Sequence, residues 1–341
     1  MFSVRRRFIL VYATLAAVAE GYSFAKHLEY VKTHTIPAGL RPFDVNGPIP
    51  TCGRWKDTMP KTRDQAAYQL YINARKLWRS KIAWQLTRQQ FTSIFHDVQA
   101  AANQGDWGAR ALLAHFYRSG LGPLDSNHVL DIDLDKSVEI VRMAVAAGQA
   151  WGYYDLGVAH EQGYGNATQD EQIAWAYYLK AAELGSPDAQ MALASAYVKV
   201  RRWEAEEAMI MCAYKQGHGP AAYDLGGTAK YNRDFRKALT YYQAGVRFGS
   251  KFSAVVLRQM FDTKEWNLLE KQDRDAFKEL GILPDPERKN RYDQISDALE
   301  LNPDLKLTRL DQVVPLPPAE LPAWNSIQDA VEPERDGVPT Y

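Results

Sequence analysis

Residues 175–193 read Trp-Ala-Tyr-Tyr-Leu-Lys-Ala-Ala-Glu-Leu-Gly-Ser-Pro-Asp-Ala-Gln-Met-Ala-Leu and predict two helices joined by a tight turn. Gly185 ends a run of good helix formers, and glycine adopts the left-handed conformation at a helix C-terminus at little cost. Ser186 can cap the next helix, and Pro187 falls at its first position, where the missing N–H is not needed. The stretch therefore predicts a helix-turn-helix joint.

The joint recurs along the chain, at five glycines spaced 43, 37, 32 and 32 residues apart. A leucine stands eight residues after each glycine, and a small residue stands four residues to either side of it. Small residues let neighbouring helices approach closely, so the period predicts an all-α solenoid of stacked helix pairs. The glycines are Gly105, Gly148, Gly185, Gly217 and Gly249, and the leucines are Leu113, Leu156, Leu193, Leu225 and Leu257.

The repeat that ends at Gly185 carries a family resemblance. Its residues Leu156-Gly157, Gly163-Tyr164-Gly165, Asp170, Ala174, Tyr177-Tyr178 and Lys180-Ala181-Ala182 resemble the Sel-one-like repeat, a relative of the tetratricopeptide repeat. The resemblance covers roughly residues 91–261, and the repeats ending at Gly217 and Gly249 lack the glycine-rich loop. It implies a right-handed superhelix of antiparallel helix pairs that binds proteins and is not an enzyme.

Composition and motifs argue against several function classes. Forty-one basic and forty-one acidic residues give no net charge, and the two signs alternate along the helices, which is not the footprint of a nucleic-acid-binding protein. No metalloprotease, nucleophile-elbow or phosphate-loop motif occurs, so we expect neither catalysis nor a cofactor. Asp131, Asp133 and Asp135 alternate as calcium ligands do, but Arg142 stands where an EF-hand loop needs glutamate. A solvated loop with a helix-capping Asp133 is the better interpretation, and we expect no metal.

Residues 1–25 predict export. Arg5, Arg6 and Arg7 precede an apolar run from Phe8 to Ala19, which ends in a small-x-small cleavage pattern. The segment is either a cleaved signal peptide or, lengthened by the apolar residues that follow, an anchor in the inner membrane. In both cases the rest of the chain is predicted to be periplasmic.

Proline content and helical periodicity divide the remaining chain. Residues 26–60 predict an extended Pro-rich arm that tethers the solenoid or lies along it. Helical caps are predicted at 61–105 and 263–310 around repeats at 106–262, with C-terminal cap helices at 266–280 and 285–299. Residues 311–341 form a Pro-rich tail. Cys212 in the repeats is either a small buried apolar residue or, in an oxidising compartment, the disulfide partner of Cys52 in the arm.

The tail adds a narrower resemblance. Residues 315–324 read Pro-Leu-Pro-Pro-Ala-Glu-Leu-Pro-Ala-Trp. Together with the export signal and the repeats, they are similar to immunity proteins paired with phospholipase D-type effectors of bacterial type VI secretion. The resemblance implies a periplasmic protein that binds and silences a membrane-attacking lipase. The alternative is a scaffold that assembles envelope or signalling proteins, as other Sel-one-like repeat proteins do.

Three regions are predicted to contact the partner protein. The first helices of the repeats line the concave side of such a solenoid, the enlarged loop at 122–135 carries carboxylates that would approach a basic phosphate site favourably, and the tail offers an aromatic anchor. The tail either packs back on its own solenoid or binds the partner. The residues are Tyr153, Tyr154, His160, Tyr197 and Tyr223 on the first helices, Asp131 and Asp135 in the loop, and Trp324 in the tail.

Overall fold

The structure, a computed structural model, describes residues 34–331. The predicted signal peptide or anchor at 1–25 and the last part of the tail, 332–341, lie outside the described residues. Within 34–331 the chain forms fifteen α-helices, three short 3-10 turns and one isolated β-bridge, and none of these helices is long and apolar enough to cross a membrane. The helices are α1 (Gln65–Trp78), α2 (Arg88–Asn103), α3 (Trp107–Ser119), α4 (Leu134–Ala146), α5 (Ala150–Gln162), α6 (Glu171–Glu183), α7 (Pro187–Lys199), α8 (Trp203–Tyr214), α9 (Gly219–Tyr231), α10 (Phe235–Arg247), α11 (Lys251–Met260), α12 (Thr263–Leu268), α13 (Lys271–Glu279), α14 (Pro286–Leu301) and α15 (Leu310–Val313).

The predicted joints and the α-solenoid are confirmed. All five joint glycines have φ between +71° and +98°, the conformation that glycine adopts more readily than other residues. At the central joint the Ser186 hydroxyl accepts from the Ala189 N–H, as a helix cap does. The five periodic leucines are all buried. A Cβ atom added to Gly152 would lie 2.6 Å from the Cβ of Ala144, so the small residues do permit close helix contact.

The arm, residues 34–60, lies along the solenoid. It turns back on itself at Asp44–Gly47, where the Gly47 N–H donates to the Asp44 carbonyl over 2.9 Å. The Arg202 guanidinium, at the entry to α8, donates to the carbonyls of Val45 (2.6 Å) and Gly47 (2.7 Å). Beyond the turn, Cys52 is disulfide-bonded to Cys212 of α8. Of the two predicted arrangements, the structure therefore has the arm packed on the repeats.

The disulfide corrects the simpler interpretation of Cys212. The side chain is buried, as predicted, but it is not a free thiol, and the two Cα atoms lie 5.5 Å apart as disulfides require. Just after Cys52, the Trp55 ring packs edge-to-face on Trp107 of α3, and the Trp55 backbone N–H donates to the Gln216 side-chain oxygen over 3.0 Å. The arm thus connects the first repeat to the end of α8.

The C-terminal cap differs from the prediction in one place. The single helix predicted over 266–280 is two helices, α12 and α13, separated by Leu269 and Glu270 in extended conformation. The break lets Trp266 and Leu269 pack on the C-terminal core next to Phe277, and the Arg274 guanidinium donates to the Leu269 carbonyl over 2.6 Å. The predicted second helix is α14, capped by Asp285.

The N-terminal and C-terminal helical caps are in contact. Arg75 of α1 forms a buried ion pair with Asp304, in the loop after α14, over 2.6 Å, and Arg79 approaches the same carboxylate to 3.6 Å. Burial by itself would raise the pKa of Asp304, but the hydrogen bonds and charges of the two arginines outweigh it and lower that pKa. The N-terminal cap is therefore held against the C-terminal cap.

Candidate protein-binding surfaces

The enlarged loop, predicted at 122–135, spans residues 120–133, because α4 begins at Leu134. The loop is fixed at its base. Leu121 and Leu130 exchange two backbone hydrogen bonds of 2.9 and 3.1 Å, which close the loop. The buried Asn127 side chain accepts from the Leu124 N–H and donates to the Leu86 carbonyl over 3.0 Å, in the segment between α1 and α2. The loop is therefore a rigid projection rather than a free strand, and only its outer residues can meet a partner.

The loop carboxylates point in different directions. Asp131 is 97% exposed and pairs with the His128 ring over 3.0 Å. Asp133 caps α4 by accepting from the Lys136 N–H over 3.0 Å, and this hydrogen bond lowers its pKa. Asp135 is exposed on the first turn of α4. Asp131 and Asp135 thus remain available to a partner, whereas Asp133 serves the helix.

Large apolar side chains lie exposed next to the loop. A groove of about 600 Å³ between α1, α3 and the loop is lined by aromatic and aliphatic side chains, among them Trp78, Phe116 and Ile132. Ile132 is 61% exposed, and so is Trp84, which follows the groove residue Ala83 in sequence. Exposed apolar residues bordered by polar ones are typical of a protein-binding surface, whose centre is apolar and whose rim is polar. We name Trp84, Asp131, Ile132 and Asp135 the loop surface.

The aromatic residues predicted on the first helices mostly pack against the second helices. Tyr153 and Tyr154 are half-buried, with ring centroids 6.2 and 5.5 Å from those of Tyr177 and Tyr178 of α6. Burial raises the pKa of Tyr154. Tyr223 is half-buried between Tyr242 and Phe252. For these three residues the prediction of partner contact stays a prediction.

Two of the predicted contact residues lie in the interior. Tyr197 is completely buried in the core between α6, α7 and α8, where Phe43 of the arm packs against its ring at 5.8 Å. His160 stacks on Tyr177 at 5.4 Å, its Nδ1 lies 2.8 Å from the Thr168 carbonyl, and burial lowers its pKa. Neither side chain is accessible to a partner in this conformation, because the arm and the repeat interface cover them.

The tail packs back on its own solenoid. Two buried arginines of α14 hold it: Arg291 donates to the carbonyls of Val313 (2.7 Å) and Pro322 (2.8 Å), and Arg288 donates to the Ala319 carbonyl over 2.9 Å. Trp324 is half-buried over the Arg291 guanidinium, 5.4 Å from ring centroid to guanidinium carbon. Of the two predicted roles, the described tail has the intramolecular one.

One buried carboxyl belongs to the first helices. Asp155 of α5 is almost completely buried, and desolvation raises its pKa to about 7, against the weaker opposing effect of Arg118. On α3, burial together with nearby arginines lowers the pKa of His115 to about 4. Burial favours the uncharged form of both side chains, as is common in protein interiors. No cluster of metal ligands occurs among residues 34–331.

Sequence reasoning missed a second groove. It lies between α8, α9 and α10, and its walls carry the exposed Trp203 and Tyr231. The 32-residue period relates this groove to the positions one repeat earlier, but only the structure shows that the arm occupies those earlier positions. We name it the α8–α10 groove.

Solved structures resemble this chain over most of its length. The Pseudomonas aeruginosa protein PA5086 is 28% identical, with 82% of this chain and 96% of that chain covered and a TM-score of 0.62. The immunity protein Pa5087 of the same organism is 26% identical, with 79% and 94% covered and a TM-score of 0.62. The immunity protein PA5088 is also 26% identical, with 82% and 95% covered and a TM-score of 0.60. The resemblance to immunity proteins inferred from the repeats and tail is confirmed.

The C-terminal part of the chain matches a family model of its own. Residues 253–336 match a domain of unknown function, DUF6396, which here comprises most of α11, the C-terminal cap and much of the tail. No curated protein matches this chain.

Proposed function

We propose that this chain is a periplasmic immunity protein that binds and inhibits a phospholipase D-type effector of type VI secretion. The observation that carries the proposal is the likeness to two solved immunity proteins, which extends over about four fifths of this chain and nearly all of theirs. Likeness at this coverage extends far beyond one repeat motif.

The described residues favour binding over chemistry. Several histidines and acidic residues at 34–331 have structural roles: His160 stacks on Tyr177, Asp133 caps α4, and Asp304 pairs with Arg75. The exposed loop surface instead combines two carboxylates with two large apolar side chains. Such a surface suits a protein partner, because apolar residues supply affinity while the charges select a basic site.

The mode of inhibition follows from the charge of the partner. Phospholipase D chemistry needs a basic pocket for a phosphate, and Asp131 and Asp135 would approach the mouth of that pocket favourably. The rigid base of the loop, held by Asn127, lowers the entropy lost on binding. The inhibitor would cover the substrate entrance through an interface of roughly 1,600 Å² or more.

The periplasmic location is supported by the disulfide. Cys52 and Cys212 pair in the structure, and disulfides persist in oxidising compartments such as the periplasm. A fusion of residues 1–60 to a reporter that is active only outside the cytoplasm tests the location. A reporter that stays inactive would contradict export.

Binding to a purified effector tests the function. We expect the wild-type protein to bind the phospholipase encoded beside its own gene, to stop its release of phospholipid headgroups, and to protect cells that express it in the periplasm. Asp131→Ala with Asp135→Ala should weaken binding about tenfold, and Trp84→Ala at least as much. Glu265→Ala with Glu279→Ala, exposed carboxylates in the C-terminal cap, is the matched control.

Two outcomes would contradict the proposal. If the wild-type protein binds no such phospholipase but captures several envelope proteins from cells that lack one, it is a scaffold. If it binds the phospholipase and both loop variants bind equally well, the function stands and the loop surface is wrong.

A further inference from the structure

The α8–α10 groove is an open depression of about 610 Å³ between the start of α8, the end of α9 and the start of α10. Trp203 is 57% exposed at one side, and Tyr231 is 88% exposed at the other. Ile210 and Leu225 line its floor. No residue among 34–331 covers the tyrosine ring. The groove is therefore an open recess with an apolar floor and exposed aromatic rings on its walls.

The equivalent groove one repeat earlier is occupied by the arm. There Phe43 stacks on Trp175 of α6 with ring centroids 5.3 Å apart, and its edge meets Tyr197 of α7. Arg202 completes the site by donating to two carbonyls of the arm. The repeat scaffold thus holds an extended segment of chain at this position, and the arm is an example of such binding within the same molecule.

A shift of 32 residues relates the two grooves and shows how they differ. Tyr197, which contacts Phe43, corresponds to Ala229, so the later groove has more room for a side chain. Arg202, which holds the carbonyls, corresponds to Asp234. Lys199 corresponds to Tyr231. Trp175, which stacks on Phe43, corresponds to Glu207. The later groove therefore keeps the position of the arm site but is wider, and acidic and aromatic residues stand where the arm site has cations.

The charge of the groove selects its ligand. Glu206, Glu207 and Asp234 line it together with a single cation, Lys237. Desolvation, together with the charges of Asp224 and Glu207, raises the pKa of Glu206. A cation placed beside Glu206 would lower that pKa again. Carboxylates between exposed aromatic rings are suited to a lysine or arginine side chain, which gains both ion pairing and cation–π contact.

We propose that the α8–α10 groove binds an extended segment of the effector in which a lysine or arginine stands next to an aromatic or large aliphatic residue. The apolar side chain occupies the room above Ala229, as Phe43 occupies the earlier groove, and the cation lies between Glu206 and Glu207. The proposal rests on the proposed function, which supplies the identity of the partner.

A pair of peptides tests the groove without the effector. The probe is residues 39–48 of the arm with Asp44→Lys and Asn46→Lys, and its counterpart carries Asp44→Glu and Asn46→Glu. The whole protein is titrated with each peptide by calorimetry. The lysine peptide should bind about tenfold or more tightly than the glutamate peptide. Equal affinities, or no binding of the lysine peptide at about 1 mM, would overturn the proposal.

Variants locate the binding. Trp203→Ala, and separately Glu206→Gln with Glu207→Gln, should each weaken binding of the lysine peptide about tenfold. Glu265→Gln with Glu279→Gln, the same loss of charge in the C-terminal cap, should leave it unchanged. Wild-type affinity in both groove variants would overturn the assignment to this groove.

The effector separates this inference from the proposed function. If the effector binds the wild-type protein and both groove variants equally, the groove is not used and the immunity function stands. If no phospholipase binds the wild-type protein while the lysine peptide still requires Trp203, the groove is a binding site for basic segments and the immunity function fails.

Discussion

Breaking the Cys52–Cys212 disulfide should lower the free energy of unfolding by about 3–5 kcal/mol, because the bond constrains the unfolded chain more than the folded one. The two cysteines are 160 residues apart in sequence. For a loop of that length the chain-entropy relation gives about 5 kcal/mol at 25 °C, and disulfides often stabilise by less than this relation gives. The bond also joins the arm to α8, so its loss should loosen the arm first.

Urea unfolding measures this effect in two independent ways. Wild-type protein is unfolded with and without a reductant, which reaches the bond because Cys52 is exposed. The Cys52→Ala, Cys212→Ala variant, which has no cysteine, is unfolded beside it. The unfolding free energies of reduced wild type and the double variant should agree to within about 1 kcal/mol. The remaining difference is the small cost of removing atoms from the buried Cys212 site. The unfolding free energy should fall more steeply with urea concentration when the bond is absent, because the unfolded chain then exposes more surface.

The result that refutes this reasoning is an unfolding free energy that changes by less than about 1 kcal/mol on reduction. Titration of thiols in the denatured protein before reduction is the control. Two reactive thiols at that stage would mean that the cysteines do not pair in solution, and the support that the bond gives to a periplasmic location would be lost.

Four further changes test the packing. Leu193→Ala should cost about 2–5 kcal/mol in urea unfolding, whereas Val198→Ala, at a more exposed position of the same helix, should cost under about 1 kcal/mol. Asp155→Asn should stabilise the protein increasingly between pH 4 and pH 7, by on the order of 3 kcal/mol at the upper end, because the raised pKa makes the folded state bind a proton that the unfolded state releases; an advantage that does not vary with pH would contradict this. Arg291→Ala should cost about 2–4 kcal/mol and make the tail sensitive to protease, unlike Arg236→Ala on the exposed side of α10. Asp304→Ala should cost about 3–5 kcal/mol, since it leaves Arg75 buried without its carboxylate.

Local sequence signals predicted the repeats because each joint is decided within a few residues. A glycine such as Gly185, a cap such as Ser186 and a leucine eight residues beyond the glycine act within one turn or between adjacent helices. The period therefore predicted where helices end and which leucines are buried.

Contacts between distant parts of the chain had no such signal. Asp44 to Gly47 carry a turn signal, Asn46-Gly47, but nothing near Cys52 in sequence shows that this turn brings Cys52 to Cys212. Tyr197 fits a first-helix surface position by period, but the arm covers it with Phe43. The break at Leu269 likewise depends on the core that Trp266 and Phe277 share, not on a helix-breaking residue.

The ion pair between Arg75 and Asp304 changes how the repeats can come apart. An open stack of helix pairs loses its outermost pair first, because that pair has a neighbour on one side only. Here the first long helix rests on the loop that follows the last long helix, so each has contacts on both sides. Peeling from either end must first separate a buried charge from its partner, and unfolding should consequently be more all-or-none than in a linear array of the same length. An effector that pulls on one cap would therefore strain the opposite cap as well.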